Sequence, residues 1–238
     1  MTPPTFSVAT LNVWGLPPPL TWPPRHVRYP RVRRFLDQNA FDVALLQEVW
    51  RPDPAGWRDA DIHGPPASEP HSGLVLVTRF PVVERVHRAF GAGAPFIEKL
   101  WTAKGYLRVT LDVEGTRVDV LNTHLQAYDT KKDALTRARQ VDILLGAVRD
   151  DVPTVLAGDF NVHAGNAADE AVVARIAASG FADAGVDAGP TFTWWGKRER
   201  FDRVWLRGLA TVDARVLKPR AVLSDHLPLA VTARCLPR

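Results

Sequence analysis

The chain of 238 residues has little cysteine and no long apolar run. A single cysteine, Cys235, excludes an internal disulfide and a cysteine-ligated zinc site, so the fold depends on its hydrophobic core. No apolar stretch approaches the roughly 18 residues that a transmembrane helix needs. The first twenty residues contain several prolines and no basic segment followed by an apolar one, so no signal peptide is expected. We therefore expect a cytoplasmic protein, with export by another route left open.

Charge of either sign is not in large excess. Thirty Lys and Arg against 26 Asp and Glu give a formal net charge of +4. This balance suits an anionic partner such as nucleic acid, phosphate or an acidic lipid surface, but it is also typical of ordinary soluble proteins. The length allows one large α/β domain, and we expect residues 1–238 to form one domain and a monomer.

Strand-like and helix-like patterns are interspersed along the chain, which predicts an α/β protein with mixed sheets. Helical spacing of apolar residues predicts helices over 27–38, 131–148 and 168–179. A Pro-, Asp- and Gly-rich stretch predicts a loop over 51–72. Strands are predicted over 6–14, 41–50, 72–80, 82–90, 152–160, 191–195, 201–208, 210–217 and 227–235, with a hairpin over 106–125 that turns at Gly115.

Polar residues stand where these predicted strands begin or end. One such residue is usually a turn or capping residue. Six such positions are harder to explain by turn chemistry, and strand ends are where sheet proteins build their sites. The residues are Asn12; Gln47 and Glu48; Asn122, Thr123 and His124; Asp159 and Asn161; Asp202 and Arg203; and Ser224, Asp225 and His226.

The residue types indicate the chemistry. Oxygen ligands without cysteine favour Mg²⁺, Mn²⁺ or Ca²⁺, and Mg²⁺ needs only one or two protein carboxylates in addition to substrate oxygens. A His paired with an Asp is an acid–base unit whose pKa is close to neutral. Together these groups fit hydrolysis of a phosphoester by in-line attack of water.

The same stretches resemble the endonuclease/exonuclease/phosphatase superfamily of metal-dependent phosphoesterases. The resemblance covers nearly the whole chain and implies a four-layer α/β/β/α sandwich of two mixed β-sheets flanked by helices, with Mg²⁺ or Mn²⁺ as cofactor. The matching stretches are TLNVWG, LLQEVW, SGLVLVTRFPV, LNTHLQAY, LAGDFNV, PTFTWW, FDRVWL and SDHLPL.

The resemblance also implies roles for individual residues. Glu48 matches the metal-binding glutamate, Asn12 is implied as a further ligand of the same metal, and His124 matches a residue that contacts the phosphate. The pair Asp159 and Asn161 matches residues that orient water, phosphate and leaving group.

Three further positions complete the implied set. Asp202 matches a supporting carboxylate, and Asp225 with His226 matches a terminal Asp-His pair. Because histidine titrates near neutral pH, we expect His226 to be the general base, oriented by Asp225. Asp159 would then serve the water or the leaving group, with the opposite assignment left open.

Within the superfamily, four stretches of the chain look most like neutral sphingomyelinases. They are NVWGLP, SGLVLVTRFPV, AKGYLRV and NTHLQAY. This similarity implies a phospholipase C-type cleavage between ceramide and phosphocholine, with Lys104 next to the substrate phosphate. Tryptophans in or beside predicted loops would help such an enzyme contact a bilayer, although more tryptophans occupy core positions than interfaces. These tryptophans are Trp22, Trp50, Trp57 and Trp101.

Other substrates stay open at this stage. FTWW followed by RFDRVWL also resembles the nuclease branches, and the arginines of 25–34 and 197–203 could contact a DNA backbone. Phosphomonoester hydrolysis of the inositol-phosphate type shares the same core chemistry. A non-catalytic binding protein on this scaffold should lack Glu48, Asp159 or His226, and all three residues are present.

Overall fold

The computed structural model describes residues 3–16, 19–49, 62–63, 72–91, 104–194 and 196–237. Two six-stranded sheets pack face to face, and helices cover their outer faces. The helices are α1 (Arg25–Asn39), α2 (Lys131–Gly146) and α3 (Ala167–Ala178). The strands are β1 (Thr5–Asn12), β2 (Val43–Gln47), β3 (Ile62–His63), β4 (Val75–Thr78), β5 (Val82–Ala89), β6 (Gly105–Val113), β7 (Thr116–His124), β8 (Thr154–Asp159), β9 (Ala182–Asp183), β10 (Phe192–Trp194), β11 (Lys197–Glu199), β12 (Asp202–Arg207), β13 (Leu209–Val216) and β14 (Leu229–Cys235).

The two large sheets share one arrangement of strand directions. The first has the order β13-β14-β1-β2-β4-β3 and the second the order β5-β6-β7-β8-β12-β9. Each contains one parallel pair, β1 with β2 and β7 with β8, and all the other neighbours are antiparallel. Helix α1 connects the first parallel pair and α2 the second, as crossovers between parallel strands require. The predicted four-layer α/β/β/α class with mixed sheets is thus confirmed.

Successive side chains of a strand point to opposite faces of its sheet, and the apolar side chains on these faces form three layers. In β1, Phe6 and Val8 point into the layer between the sheets, while Leu11 points toward α1. In β8, Val155 likewise faces the other sheet and Leu156 faces α2 and α3. Because both faces of these central strands are covered, their sequences are almost continuously apolar.

Helix α2 has sequence signals at its start and a buried ion pair along its length. Thr130 caps the helix and forms a capping box with Asp133. Further along, Arg137 donates to the Asp169 carboxylate of α3 at 2.7 Å, with both side chains fully buried. This pair fixes α2 against α3 on the outer face of the second sheet.

Most predicted elements lie within two residues of the observed ones, but the short strands β3, β9 and β11 were not predicted. The loop predicted over 51–72 contains the short strand β3, which pairs with β4 at Ile62 and His63, while residues 50–61 and 64–71 lie outside the described residues. Two residues are too few for periodicity to reveal a strand. None of the helices in the described ranges combines the length and the apolar character that a membrane crossing requires.

Candidate active site

The site lies where the apolar layer between the sheets ends. Asn12 is the last residue of β1 and has the alternation phase of Phe6 and Val8, which face the opposite sheet. His124 ends β7 and Asp159 ends β8 in the corresponding phase. The sequence therefore places polar groups where the inward-facing apolar stripe of each strand stops, and all three side chains are buried.

A buried polar layer lies below these groups and joins the two sheets. The Gln47 side-chain amide donates to Asn122 Oδ1 at 2.8 Å and to Thr10 Oγ1 at 3.1 Å. The Asn122 amide in turn donates to the main-chain oxygens of Leu46 and Val75, each at 2.9 Å. These bonds cross from the second sheet to the first and fix their relative position directly beneath the site.

Asn12 connects two carboxylates. Its Nδ2 donates to Glu48 Oε1 and to Asp159 Oδ2, each at 2.9 Å, and its Oδ1 accepts from the Trp14 N–H. Glu48 has a positive φ of 60°, and a Cβ on Gly15 would lie 1.7 Å from its main-chain oxygen. The loop after β1 thus packs directly on Glu48. In this geometry Asn12 orients both carboxylates with its nitrogen, and a role as a direct metal ligand stays a prediction.

The second sheet contributes a cationic and an amide group. Lys104 Nζ lies 2.9 Å from His124 Nε2 and donates to the Leu125 main-chain oxygen at 2.6 Å. Asn161, with a positive φ of 49°, donates its side-chain amide to the same oxygen at 3.1 Å. His124 Nε2 is 3.5 Å from Asp159 Oδ2. The predicted phosphate-contacting groups therefore lie beside the carboxylates.

His226 is oriented by Asp202 rather than by Asp225. Its Nδ1 lies 2.7 Å from Asp202 Oδ2, and its Nε2 lies 3.9 Å from Asp159 Oδ2. The Asp225 carboxylate instead accepts from the Ser224 hydroxyl at 3.0 Å. Asp225 therefore has its hydrogen bond with the neighbouring serine, and Asp202 takes the position at Nδ1 of the imidazole.

Burial and mutual charge shift the pKa values of these groups. Burial raises the pKa of Glu48, Asp159 and Asp225. Burial, followed by the charges of Lys104 and His226, holds the pKa of His124 well below its usual value.

The pKa of His226 is raised, although burial alone would lower it. The effect of burial is outweighed by Asp202, and then by Asp159 and Asp225, which raise the pKa to about 10. The expectation of a near-neutral pKa therefore needs correction for the protein without metal, in which His226 carries a proton at neutral pH.

Two positioning residues were not identified from the sequence. Arg28 is fully buried and donates to the main-chain oxygens of Val13, Trp14, Pro23 and Leu223. Its position at four-residue spacing from Val32 and Leu36, both buried, is the signal that could have revealed it.

The second is Thr191. Its hydroxyl accepts from the Asp202 N–H at 3.0 Å, and its main-chain oxygen accepts from the Leu227 N–H at 2.6 Å. Thr191 thereby holds the Asp202 strand and the His226 loop together. The sequence gives no comparable signal for this role, because a lone threonine before a short strand is ordinary.

The donor set fits a divalent cation. Ligand atoms of Asp159, Asp202 and His226 lie within 4.8 Å of one another. Glu48 Oε2 and Asp202 Oδ1 are buried and have no hydrogen-bond partner among the described residues. Buried carboxylate oxygens without a partner are costly, and coordination to a cation satisfies them.

Of the residues proposed for substrate contact, some are exposed, some pair within the protein and some lie outside the described residues. Trp22 is 76% exposed, whereas Trp50, Trp57 and Trp101 lie outside the described residues. In the arginine-rich stretch 197–203, Arg200 and Arg203 pair with Asp183 at 2.5 and 2.9 Å. These two arginines are therefore engaged within the protein rather than directed at a DNA backbone.

The chain is similar in sequence to known proteins. Homo sapiens sphingomyelin phosphodiesterase 2 is 27% identical over 186 residues, which cover 67% of this chain and 43% of the human protein. The chain spans less than half the length of the curated relatives it matches.

Solved structures show the same fold over almost the whole chain. The endonuclease/exonuclease/phosphatase from Bacteroides vulgatus has a TM-score of 0.78 at 16% identity and covers 98% of this chain and 99% of its own. D. rerio TDP2 complexed with single-strand DNA product has a TM-score of 0.74 at 18% identity, over 96% and 98%.

The family model described as the endonuclease/exonuclease/phosphatase family matches residues 9–226, which include every residue of the site described above. Members of this family are phosphoester hydrolases, as the sequence motifs predicted. The chain belongs to the endonuclease/exonuclease/phosphatase family.

Proposed function

We propose that the chain is a divalent-metal-dependent phosphodiesterase and that its substrate is a phospholipid of the sphingomyelin type. The observation that carries the reaction is the convergence of Asn12, Glu48, His124, Asp159 and the His226–Asp202 pair at one end of the inter-sheet layer. The lipid is supported by the similarity to human sphingomyelin phosphodiesterase 2.

The cation would be Mg²⁺ or Mn²⁺, held by Glu48 with Asp159 and Asp202 nearby, because oxygen donors suit these ions. When bound, it would offset the phosphate charge and lower the pKa of His226 by countering the carboxylates that raise it.

The protein's own residues supply binding and proton transfer. Lys104 and His124 hold the phosphate oxygens, with Lys104 providing positive charge and neutral His124 a hydrogen bond. His226 accepts the proton of the attacking water at Nε2, while Asp202 fixes the ring through Nδ1. Burial raises the pKa of Asp159, which suits a carboxyl that gives a proton to the departing oxygen. Asn161 orients Asp159 through its main-chain N–H at 3.0 Å.

The reaction is tested with purified protein and bis-(p-nitrophenyl) phosphate. We expect turnover with Mg²⁺ or Mn²⁺, none with EDTA, and a loss of about 10²–10⁴-fold in kcat for His226→Ala. His87→Ala, on the edge strand β5, is the matched control and should keep its activity. Full activity of His226→Ala would reject the proposed role.

A nuclease is the second candidate. Arg34 on α1 is exposed, as a residue that contacts a DNA backbone must be, and D. rerio TDP2 shares the fold. Sphingomyelin vesicles, abasic-site DNA, plasmid DNA and inositol phosphates should be compared under one metal condition. Cleavage of DNA without turnover of sphingomyelin would favour the nuclease and reject the lipid.

A further inference from the structure

The loop that follows Asn12 exposes large apolar side chains next to the site. In this loop, Leu16 is 39%, Leu20 63% and Trp22 76% exposed. Of the described residues, only Trp22 among the tryptophans and phenylalanines is an exposed large hydrophobic. Concentration of such side chains within seven residues is unlike the scattered exposure of single apolar residues on ordinary surfaces.

The protein holds this loop firmly instead of burying its apolar residues. Arg28 binds the main-chain oxygen of Trp14 near its start at 2.5 Å and that of Pro23 near its end at 2.6 Å. Within the loop, the Thr21 hydroxyl donates to the Leu16 main-chain oxygen at 3.2 Å, and Thr21 itself is buried. Both ends of the loop are therefore fixed by one buried guanidinium, with Leu20 and Trp22 directed outward.

Positive charge adjoins these side chains. Arg25 and His26 follow the loop directly, and the first turn of α1 has no acidic residue. Arg31 of α1 contacts the main-chain oxygen of Val222, whose side chain is also exposed, and the exposed Arg220 stands two residues away. Apolar groups bordered by cations complement a bilayer with anionic headgroups, where the rings and alkyl chains enter the interface and the cations meet phosphate.

We propose that Leu20 and Trp22, which lie in the described part of this loop (13–16 and 19–24), form the surface by which the protein binds an anionic phospholipid bilayer. This proposal rests on the proposed function insofar as the site would act on a lipid in that bilayer. Because Gly15 of the same loop packs on Glu48, binding at Leu20 and Trp22 brings the membrane surface next to the carboxylates.

The test uses the full chain and vesicles of phosphatidylcholine, sphingomyelin and phosphatidylserine. Leu20→Ser and Trp22→Ser should each weaken vesicle binding in co-sedimentation by about tenfold, because each removes one large apolar side chain from the interface. Turnover of soluble bis-(p-nitrophenyl) phosphate should not change. Vesicles should shift the tryptophan emission of the native chain to shorter wavelength, and Trp22→Ser should abolish that shift. Omission of phosphatidylserine should weaken binding of the native chain.

Leu135→Ser is the matched control, since Leu135 is 51% exposed on α2 and lies outside the loop. It should bind vesicles like the native chain. Equal vesicle binding by the native chain, Leu20→Ser and Trp22→Ser would overturn the surface, even if sphingomyelin is hydrolysed. If the loop variants bind less and the native chain does not hydrolyse sphingomyelin, the surface stands and the proposed substrate fails. Weakened binding of single-stranded DNA by Trp22→Ser, with vesicle binding unchanged, would overturn the proposal in favour of nucleic acid.

Discussion

At the scale of single residues, Arg28 shows how one buried charge organises several loops. Its guanidinium binds main-chain oxygens on both sides of the loop after β1 and one oxygen, Leu223, before the His226 loop. Asp225 and Glu48 are the nearby carboxylates that counter its charge at longer range. Burial lowers the pKa of Arg28, yet an arginine remains charged. The guanidinium of Arg28 thus stabilises the loops that carry residues from both ends of the chain.

Replacement of Arg28 by methionine should lower the free energy of unfolding by about 3 kcal/mol, because several buried carbonyls lose a charged donor. Urea denaturation measures this change. Arg34→Met, at an exposed position of the same helix, should change stability by no more than about 0.5 kcal/mol. Equal effects of the two substitutions would contradict the role of Arg28.

The His226–Asp202 pair makes stability depend on pH in the metal-free protein. The folded-state pKa of His226 is raised to about 10 from an ordinary value of 6.5, so the proton favours the folded state. This contribution is complete below pH 6.5 and is lost as the pH rises toward 10. In EDTA, the difference in unfolding free energy between the native chain and Asp202→Asn should therefore shrink over this interval. A constant difference would show that the pair does not titrate in this range.

The sequence revealed the polar residues at the strand ends but not the hydrogen-bond partners of these residues. Asn12, His124 and Asp159 were found because each interrupts an apolar strand, a signal that is local. The partnership of His226 with Asp202 is a tertiary contact between residues 24 apart in the sequence, and it could not be predicted from the neighbouring Asp225. Arg28 was missed because charge alone does not reveal which side of a helix faces inward, although its spacing from Val32 and Leu36 carried that information.

At the scale of elements, strong periodicity was the reliable guide. Helix α2 was predicted over 131–148 and spans Lys131–Gly146, because its apolar stripe and the capping residue Thr130 define it locally. The β6–β7 hairpin was likewise identified by alternation around Gly115. The loop after β1 was harder, since its shape depends on contacts with β2 and α1 rather than on its own residues.

That loop tolerates no side chain at Gly15. A Cβ there would lie 1.7 Å from the main-chain oxygen of Glu48, so either the loop or Glu48 must move. We expect Gly15→Ala to lower kcat/KM on bis-(p-nitrophenyl) phosphate by about 100-fold, as displacement of a site by about 1 Å can do. Gly146→Ala, where a Cβ meets no atom within 4 Å, is the control and should retain activity. Unchanged activity of Gly15→Ala would show that the loop does not position Glu48.

At the scale of the whole molecule, each of the two sheets supplies part of the site. The first sheet contributes Asn12 and Glu48, and the second contributes His124, Asp159 and Asp202. The sandwich must be assembled before these groups meet, so we predict that 1–238 unfolds as one domain and that the monomer is sufficient for the reaction. The buried carboxylates come from both sheets, so a cation that binds them should stabilise the assembled sandwich.

Metal binding should therefore stabilise the folded chain as a whole. At a Mg²⁺ concentration of about 100 times its Kd, the free energy of unfolding should rise by about 2.7 kcal/mol. Thermal or urea denaturation with Mg²⁺ and with EDTA measures the rise. Glu48→Gln should lose most of it, while Glu170→Gln, at an exposed position of α3, should keep it. A rise of the same size in Glu48→Gln would place the cation elsewhere.

The position of β14 has a consequence for synthesis of the chain. Thr10 of β1 pairs with Leu229 of β14, and β14 lies between β13 and β1 inside the first sheet. During translation β1 emerges early and can pair with β2, but its other edge stays open until β14 emerges. His226 is also made late, just before that strand. A ribosome-bound chain that ends before β14 thus has an unprotected strand edge and an incomplete site, and both are closed only after His226 and β14 have emerged.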